Sequence, residues 1–155
     1  MEWPALRPQA ERRTVYVLPD ILAKIRAPDH EPMFPRASAE ALVSRFRSGG
    51  LVSVSRQMEV KADLKRMVGV DEIWTLCFRS PRPGGRLLGR FIDQDIFVGL
   101  GLFTREELGG NAYTERGNEA VATYERLLPN SPTVRSAELG DYMSQFYKDL
   151  DNDDD

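Results

Sequence analysis

Between Ile73 and Phe103 three runs rich in β-forming residues are separated by two turn signals. No other stretch constrains the fold as much, because side chains on a strand alternate between its faces at a period of two, and that fixes which of these residues can share a core. Ile73 to Arg79 is rich in β-forming residues and runs into Ser80-Pro81-Arg82-Pro83-Gly84-Gly85, a turn by its prolines and glycines. Arg86 to Ile92 reads as a second strand, Asp93-Gln94 as a tight turn, and Asp95 to Phe103 as a third strand. Alternation places Trp74, Leu76 and Phe78 on one face of the first strand, and Leu87, Gly89 and Phe91 on one face of the second. A two-residue turn at Asp93-Gln94 sets Phe91 opposite Ile96 and Gly89 opposite Val98. Ile96, Val98, Leu100 and Leu102 then join the same face, which is the expected core. The reverse face, with Thr75, Cys77, Arg79, Arg86, Arg90 and Phe97, would line a groove or lie under a helix.

The flanking sequence adds helices to this sheet. Residues 1–13 read as a loose arm and Val15-Tyr16-Val17 as a short strand, with Pro19 opening a helix to about Arg26. Three prolines make Ala27 to Arg36 a loop. Ser38 caps a helix with Ala39, Leu42, Val43 and Phe46 on one side, closed by Gly49-Gly50. Leu51 to Ser55 reads as extended, and Val60, Leu64 and Met67 or Val68 suggest a short helical stretch. Thr114 to Leu128 reads as a helix, and Leu139, Tyr142, Met143, Phe146 and Leu150 form a second stripe at helical spacing. The expected architecture is α+β: an antiparallel three- to four-stranded meander packed against several helices. It forms one domain over residues 1–150, followed by an acidic, disordered tail at 151–155.

Composition sets the outer limits. A chain of 155 residues suits one domain with its own core, and 41% apolar content argues against wholesale disorder. No apolar run approaches the roughly 20 residues that span a bilayer, so the expected address is cytoplasmic, with no membrane contact. Net charge is −3 but unevenly spread. Residues 1–90 carry 16 Lys/Arg against 10 Asp/Glu, and residues 91–155 carry 5 against 14, which allows a basic surface on an acidic protein.

Several chemistries lack their residues. His30 is the one histidine and Cys77 the one cysteine, and they are far apart in sequence, so neither a zinc set nor a Ser-His-Asp triad is marked. His30 reads as a loop residue and Cys77 as a packing thiol. Gly99-Leu100-Gly101 lacks the third glycine and the strand-to-helix position of a dinucleotide turn, and no Lys-Ser/Thr follows Gly84-Gly85 to meet a nucleotide. No metal and no cofactor is expected.

What remains is a basic set: Arg79, Arg82, Arg86 and Arg90, with Lys65 and Arg66 upstream. Guanidinium forks bind phosphate through two parallel hydrogen bonds and stabilise charge that develops in phosphoryl transfer. The bland alternative is that these residues solvate a hairpin and pair with Glu72, Asp93 or Asp95. The run Asp71 to Arg79, followed by Gly85-Arg86-Leu87-Leu88-Gly89-Arg90-Phe91 and Ile96 to Leu100, resembles the strand core of RelE/HigB-type toxins. That resemblance covers about a fifth of the chain. It implies a ribosome-dependent, metal-independent endoribonuclease, with Arg79, Arg86 and Arg90 at the phosphate. Met33 to Ser38 and Gly109 to Thr114 are similar to segments of small proteins from bacteria of the Rhizobium group, a likeness that implies no activity.

Two functions are therefore expected to compete. One is a non-enzymatic binding or accessory module of a bacterium or mobile element, acting on a protein partner, on a second copy of itself, or on RNA or the ribosome. The other is a toxin-like ribonuclease using the arginine face, with no catalytic residue assigned. Arg79, Arg82, Arg86, Arg90 and Lys65 are the candidate phosphate or RNA contacts in either case.

Overall fold

A computed structural model describes residues 12–25, 36–79 and 84–152. The strands are β1 Thr14–Val17, β2 Val52–Ser55, β3 Leu64–Arg66, β4 Trp74–Phe78, β5 Gly85–Asp93, β6 Ile96–Thr104 and β7 Tyr147–Asp149. The helices are α1 Pro19–Ile25, α2 Arg36–Arg47 and α3 Ala112–Leu127, with single 3-10 turns at Glu106–Leu108, Leu139–Asp141 and Leu150–Asn152. The arm up to residue 11, His30, Arg82 and Asp153 to Asp155 lie outside the described residues. No described helix is long and apolar enough to cross a membrane.

The protein is α+β, but the sheet is not the expected antiparallel meander of three or four strands. It has seven strands and is mixed, in the order β1-β6-β5-β4-β3-β2-β7. The pairs β3–β4, β4–β5 and β5–β6 are antiparallel. Parallel pairs extend the sheet on both sides, β1 on β6 and then β3–β2–β7. Of the added strands, β1 and β2 fall where Val15 to Val17 and Leu51 to Ser55 were read as extended, whereas β3 and β7, three residues each, are too short to establish an alternation. Leu64 to Arg66 belongs to one of them, where a helical stretch was expected.

Both faces of the sheet are covered. Trp74, Leu76, Phe78, Leu87, Phe91, Phe97 and Leu102 meet Ile21, Leu22 and Ile25 of α1, Ala39, Leu42, Val43 and Phe46 of α2, and the later residues Leu139, Tyr142 and Met143. Each large side chain buried here contributes roughly 1.5–3 kcal/mol relative to exposure. Rings interlock at the centre, with centroids 5.2 Å apart for Phe91 and Phe97 and 4.9 Å for Trp74 and Tyr142. On the reverse face, Met67, Val70, Ile73, Leu88, Val98 and Leu100 pack with Leu108 and with Ala120 and Tyr124 of α3. Glycine at position 117 of α3 lets the helix approach closely, since a Cβ there would stand 2.8 Å from the Met67 methyl and oblige that side chain to move.

The register of β6 differs from expectation. The turn residues are Gln94 and Asp95, with Asp93 paired to Ile96, and Asp95 takes a left-handed φ of 62°. Ile92 has no opposite number, so Phe91 faces Phe97 and Arg90 faces Val98. Phe97 therefore enters the first core, while Val98 and Leu100 go to the second. A further irregularity lets Leu88 face Gly101 and Leu87 face Leu102, which returns Leu102 to the first core. Each bulge reverses the parity that period-two counting assumes to be constant.

The stripe at 139–150 is not a helix. Its carbonyls are committed elsewhere: Arg13 donates to Gln145 O at 2.7 Å and to Phe146 O at 3.1 Å, and Val52 N donates to Phe146 O at 3.1 Å. Asp95 accepts from the backbone N–H and the hydroxyl of Ser144. Leu139, Tyr142 and Met143 are buried, but Phe146 is 46% exposed at φ 59°. Asp151 and Asn152, assigned to the tail by sequence, form the last 3-10 turn, and Asp151 is docked on β2.

Candidate functional site

Strand pairing gathers the basic residues on the reverse face, beside the part covered by α3. Lys65 of β3 has Ser55 of β2 and Thr75 of β4 as its backbone neighbours. One step along, Cys77 of β4 faces Arg86 of β5, and Arg86 faces Phe103 of β6. Arg79 follows β4, and Arg105 follows β6, its N–H bound to Gly84 O at 3.2 Å. Alternation in the short strands explains the sorting: Val54, Leu64, Leu76 and Leu87 fill the first core, so the residues between them point the other way.

These cations hold mainly neutral partners. Lys65 Nζ donates to Met58 O at 2.9 Å, and Arg86 Nη1 donates to Gly85 O at 2.8 Å and to Phe78 O at 3.3 Å. Arg79 donates to Ala62 O and stands 3.8 Å from an Asp63 carboxylate oxygen. No carboxylate among the described residues forms an ion pair with Lys65, Arg86 or Arg105. Burial holds the Lys65 ammonium below its ordinary pKa; the Cys77 thiol pulls the other way, and the Arg86, Arg79 and Arg105 charges push it further down. Tyr113 donates to Thr75 Oγ1 at 3.1 Å, and its hydroxyl is pushed up to about 12, first by burial. Burial likewise pushes up the Cys77 thiol. Neither hydroxyl nor thiol is ionised at neutral pH, so neither supplies a ready base. Among the described residues, no group of three His, Cys, Asp or Glu side chains is placed to hold a metal ion.

The five residues singled out by sequence do not form one set. Lys65, Arg79 and Arg86 come together, and Arg82 lies outside the described residues. Arg90 points to the same face but is 2% exposed beneath α3. Its Nη2 donates to Asp71 O at 2.8 Å and to the Asp71 carboxylate at 3.0 Å, and its guanidinium sits 4.8 Å over the Tyr124 ring. Its Nε is buried without a partner. Arg135 grips the same Asp71 carboxylate through both Nη groups, and that hydrogen bonding is the main cause holding Asp71 below its ordinary pKa. Arg66 is spent on Glu72 at 2.9 Å. Sequence reasoning missed Arg105 and Tyr113. Arg105 was legible in principle, as a basic residue at the end of the strand opposite Arg86. Tyr113 was not, since only the packing of α3 brings it to Thr75.

The arrangement is a partly buried cluster of cations over a floor of Thr75 and Cys77, in which only Arg79 meets a carboxylate among the described residues. It can hold an anion with several oxygens. No protein-family model, no curated protein and no solved structure matches the chain, so the case for the site rests on its own geometry.

Proposed function

We propose that the protein is a non-enzymatic binding module that engages RNA phosphates through Lys65, Arg79, Arg86 and Arg105. The observation that carries this reading is that no carboxylate among the described residues pairs with Lys65, Arg86 or Arg105, on a face where burial already disfavours the lysine's charge. Mutual repulsion among these cations is relieved when a polyanion arrives, and clustered guanidinium groups suit phosphate better than any neutral ligand. The ribonuclease implied by the likeness to RelE/HigB-type toxins would use the same face. Binding is favoured over cleavage because the hydroxyl and thiol beside the cations have raised pKa values, leaving Lys65 as the one group there whose proton is loosened.

Fluorescence anisotropy with single-stranded RNA tests the proposal. Affinity should fall steeply with salt. The triple substitution K65A/R86A/R105A should flatten the slope of log affinity against log salt by about 0.7 for each phosphate that the protein no longer neutralises. The same RNA, run on a denaturing gel afterwards, should be intact. Absence of binding at low salt would overturn the reading, and cleavage that disappears with Arg86→Ala would replace it with the nuclease.

A further inference from the structure

We propose that the cationic face docks small acyl phosphates and that Lys65 takes their acyl group, so that the protein acylates itself at this one lysine. The inference rests on the reading of that face as a phosphate site, not on RNA as the bearer of the phosphate. Of the four lysines, Lys24, Lys61 and Lys148 are exposed and Lys65 is partly buried. Cross-strand pairing puts Lys65 opposite Thr75 on β4, and Arg86 opposite Cys77 two residues further along that strand. Lysine and arginine thus project from one face, on strands separated by two spacings of about 4.8 Å. Arg105 stands beyond β5, its N–H fastened to Gly84 O, and Arg79 follows β4. What holds Lys65 in place is a carbonyl, for its Nζ donates to Met58 O at 2.9 Å. That bond needs one N–H, so a neutral amine keeps it and retains a lone pair. A carboxylate partner would instead fix the charge, and none among the described residues pairs with Lys65. Burial first, then the Arg86, Arg79 and Arg105 charges, loosen its proton against the pull of Cys77. The free amine so favoured is the form that attacks a carbonyl carbon.

The step balances with no further reactant. The phosphoryl oxygens of the acyl phosphate meet the guanidinium groups of Arg86 and Arg105, which brings the acyl carbon to the face that carries Nζ. The Nζ lone pair forms the new C–N bond, and the bond from the acyl carbon to the phosphate oxygen breaks. The proton shed by nitrogen leaves on that oxygen, as hydrogen phosphate. Guanidinium groups that hold the bound dianion stabilise the charge growing on the departing phosphate more strongly. The product is an uncharged side chain within the face, so acylation removes one of the cations that RNA phosphates would meet.

Acetyl phosphate and the full chain test the proposal, with acetylation at each lysine followed by peptide mass spectrometry. Access alone would make Lys65 the slowest of the four. A docked donor should instead make it roughly ten- to hundredfold faster than Lys61. Inorganic phosphate should suppress the reaction at Lys65 and leave that at Lys61 unchanged. The neutral ester p-nitrophenyl acetate separates docking from a loosened proton alone. R86A/R105A should slow Lys65 roughly fivefold more with acetyl phosphate than with the ester. Equal losses with both donors, or no preference for Lys65, overturn the proposal. Anisotropy with single-stranded RNA at low salt reads the other conclusion separately. A Lys65 preference in a chain that binds no RNA upholds self-acylation and sinks the RNA reading. RNA binding with no Lys65 preference does the reverse. Where both hold, RNA should protect Lys65 from acetyl phosphate, and an unprotected Lys65 would overturn a shared face.

Discussion

Arg86 and Arg90 stand four residues apart on β5 and project from the same face, yet one is half-buried with carbonyl partners and the other lies sealed beneath α3. The difference predicts opposite phenotypes. Arg90→Ala removes a buried cation from Asp71 and the Tyr124 ring, and should cost about 2–4 kcal/mol in urea denaturation. Arg86→Ala should change stability by no more than about 0.5 kcal/mol, with its effect confined to RNA affinity. Phe146 makes a second contrast. Its ring is half exposed and its backbone is left-handed, a conformation that costs a non-glycine residue roughly 1–2 kcal/mol. Phe146→Gly should therefore shift the midpoint little, whereas Met143→Ala, at a fully buried position, should cost about 2–5 kcal/mol. The residues that matter were legible by type: arginines in a strand, apolar residues at regular spacing. Their environments were not, since α3 over Arg90 and the turn at Phe146 are set by contacts distant in sequence.

At the level of elements, legibility follows length. The strands of five to nine residues, β4, β5 and β6, were placed from their alternation to within a residue or two, as were α1 and the body of α3. The four-residue strands β1 and β2 were also read as extended, but strands of three residues hide inside patterns that fit a helix equally well, and β3 and β7 were both read that way. Spacing of 3.6 at Leu139, Tyr142 and Met143 was real, but it served an irregular segment whose carbonyls bind Arg13 and whose Tyr142 hydroxyl donates to Glu72 at 2.7 Å. The two bulges of β5–β6 are the subtlest loss, because no residue type signals them, and each moves the side chains beyond it to the other core. The docked turn at Leu150–Asn152 carries its own consequence. Ending the chain after Leu150 removes the carboxylate that satisfies Ser55, Arg56 N and Gln57. Thermal denaturation of that shortened chain should show a loss of about 1–3 kcal/mol.

Across the whole molecule, charge couples the site to its surroundings. Lys65 has a lower pKa in the folded protein than its ordinary 10.5, so its protonated form opposes folding. Its contribution to stability is complete above the unfolded value and is lost as pH falls through the lowered one. An anion on the face restores the charge, so inorganic phosphate at neutral pH should raise the melting temperature of wild type more than that of K65A/R86A. RNA affinity should decline as pH rises through the lowered Lys65 value, before an ordinary lysine would titrate. Asp71 works in the other sense: held below its ordinary 3.8 chiefly by Arg135, it stabilises the fold above that value and releases Arg90 and Arg135 as acid protonates it. The seven-stranded order has a temporal meaning as well. Thr14 must wait for Ile96, and Val52 for Tyr147, whereas β4, β5 and β6 meet their partners within one continuous stretch. On the ribosome the antiparallel centre can close first, while β1 and the outer edge of β2, whose other edge meets β3, emerge early and wait with unpaired backbone. Until Tyr147 to Asp149 arrive, the outer edge of β2 is an invitation to any other nascent strand, and synthesis that stalls short of them should leave chains prone to aggregate.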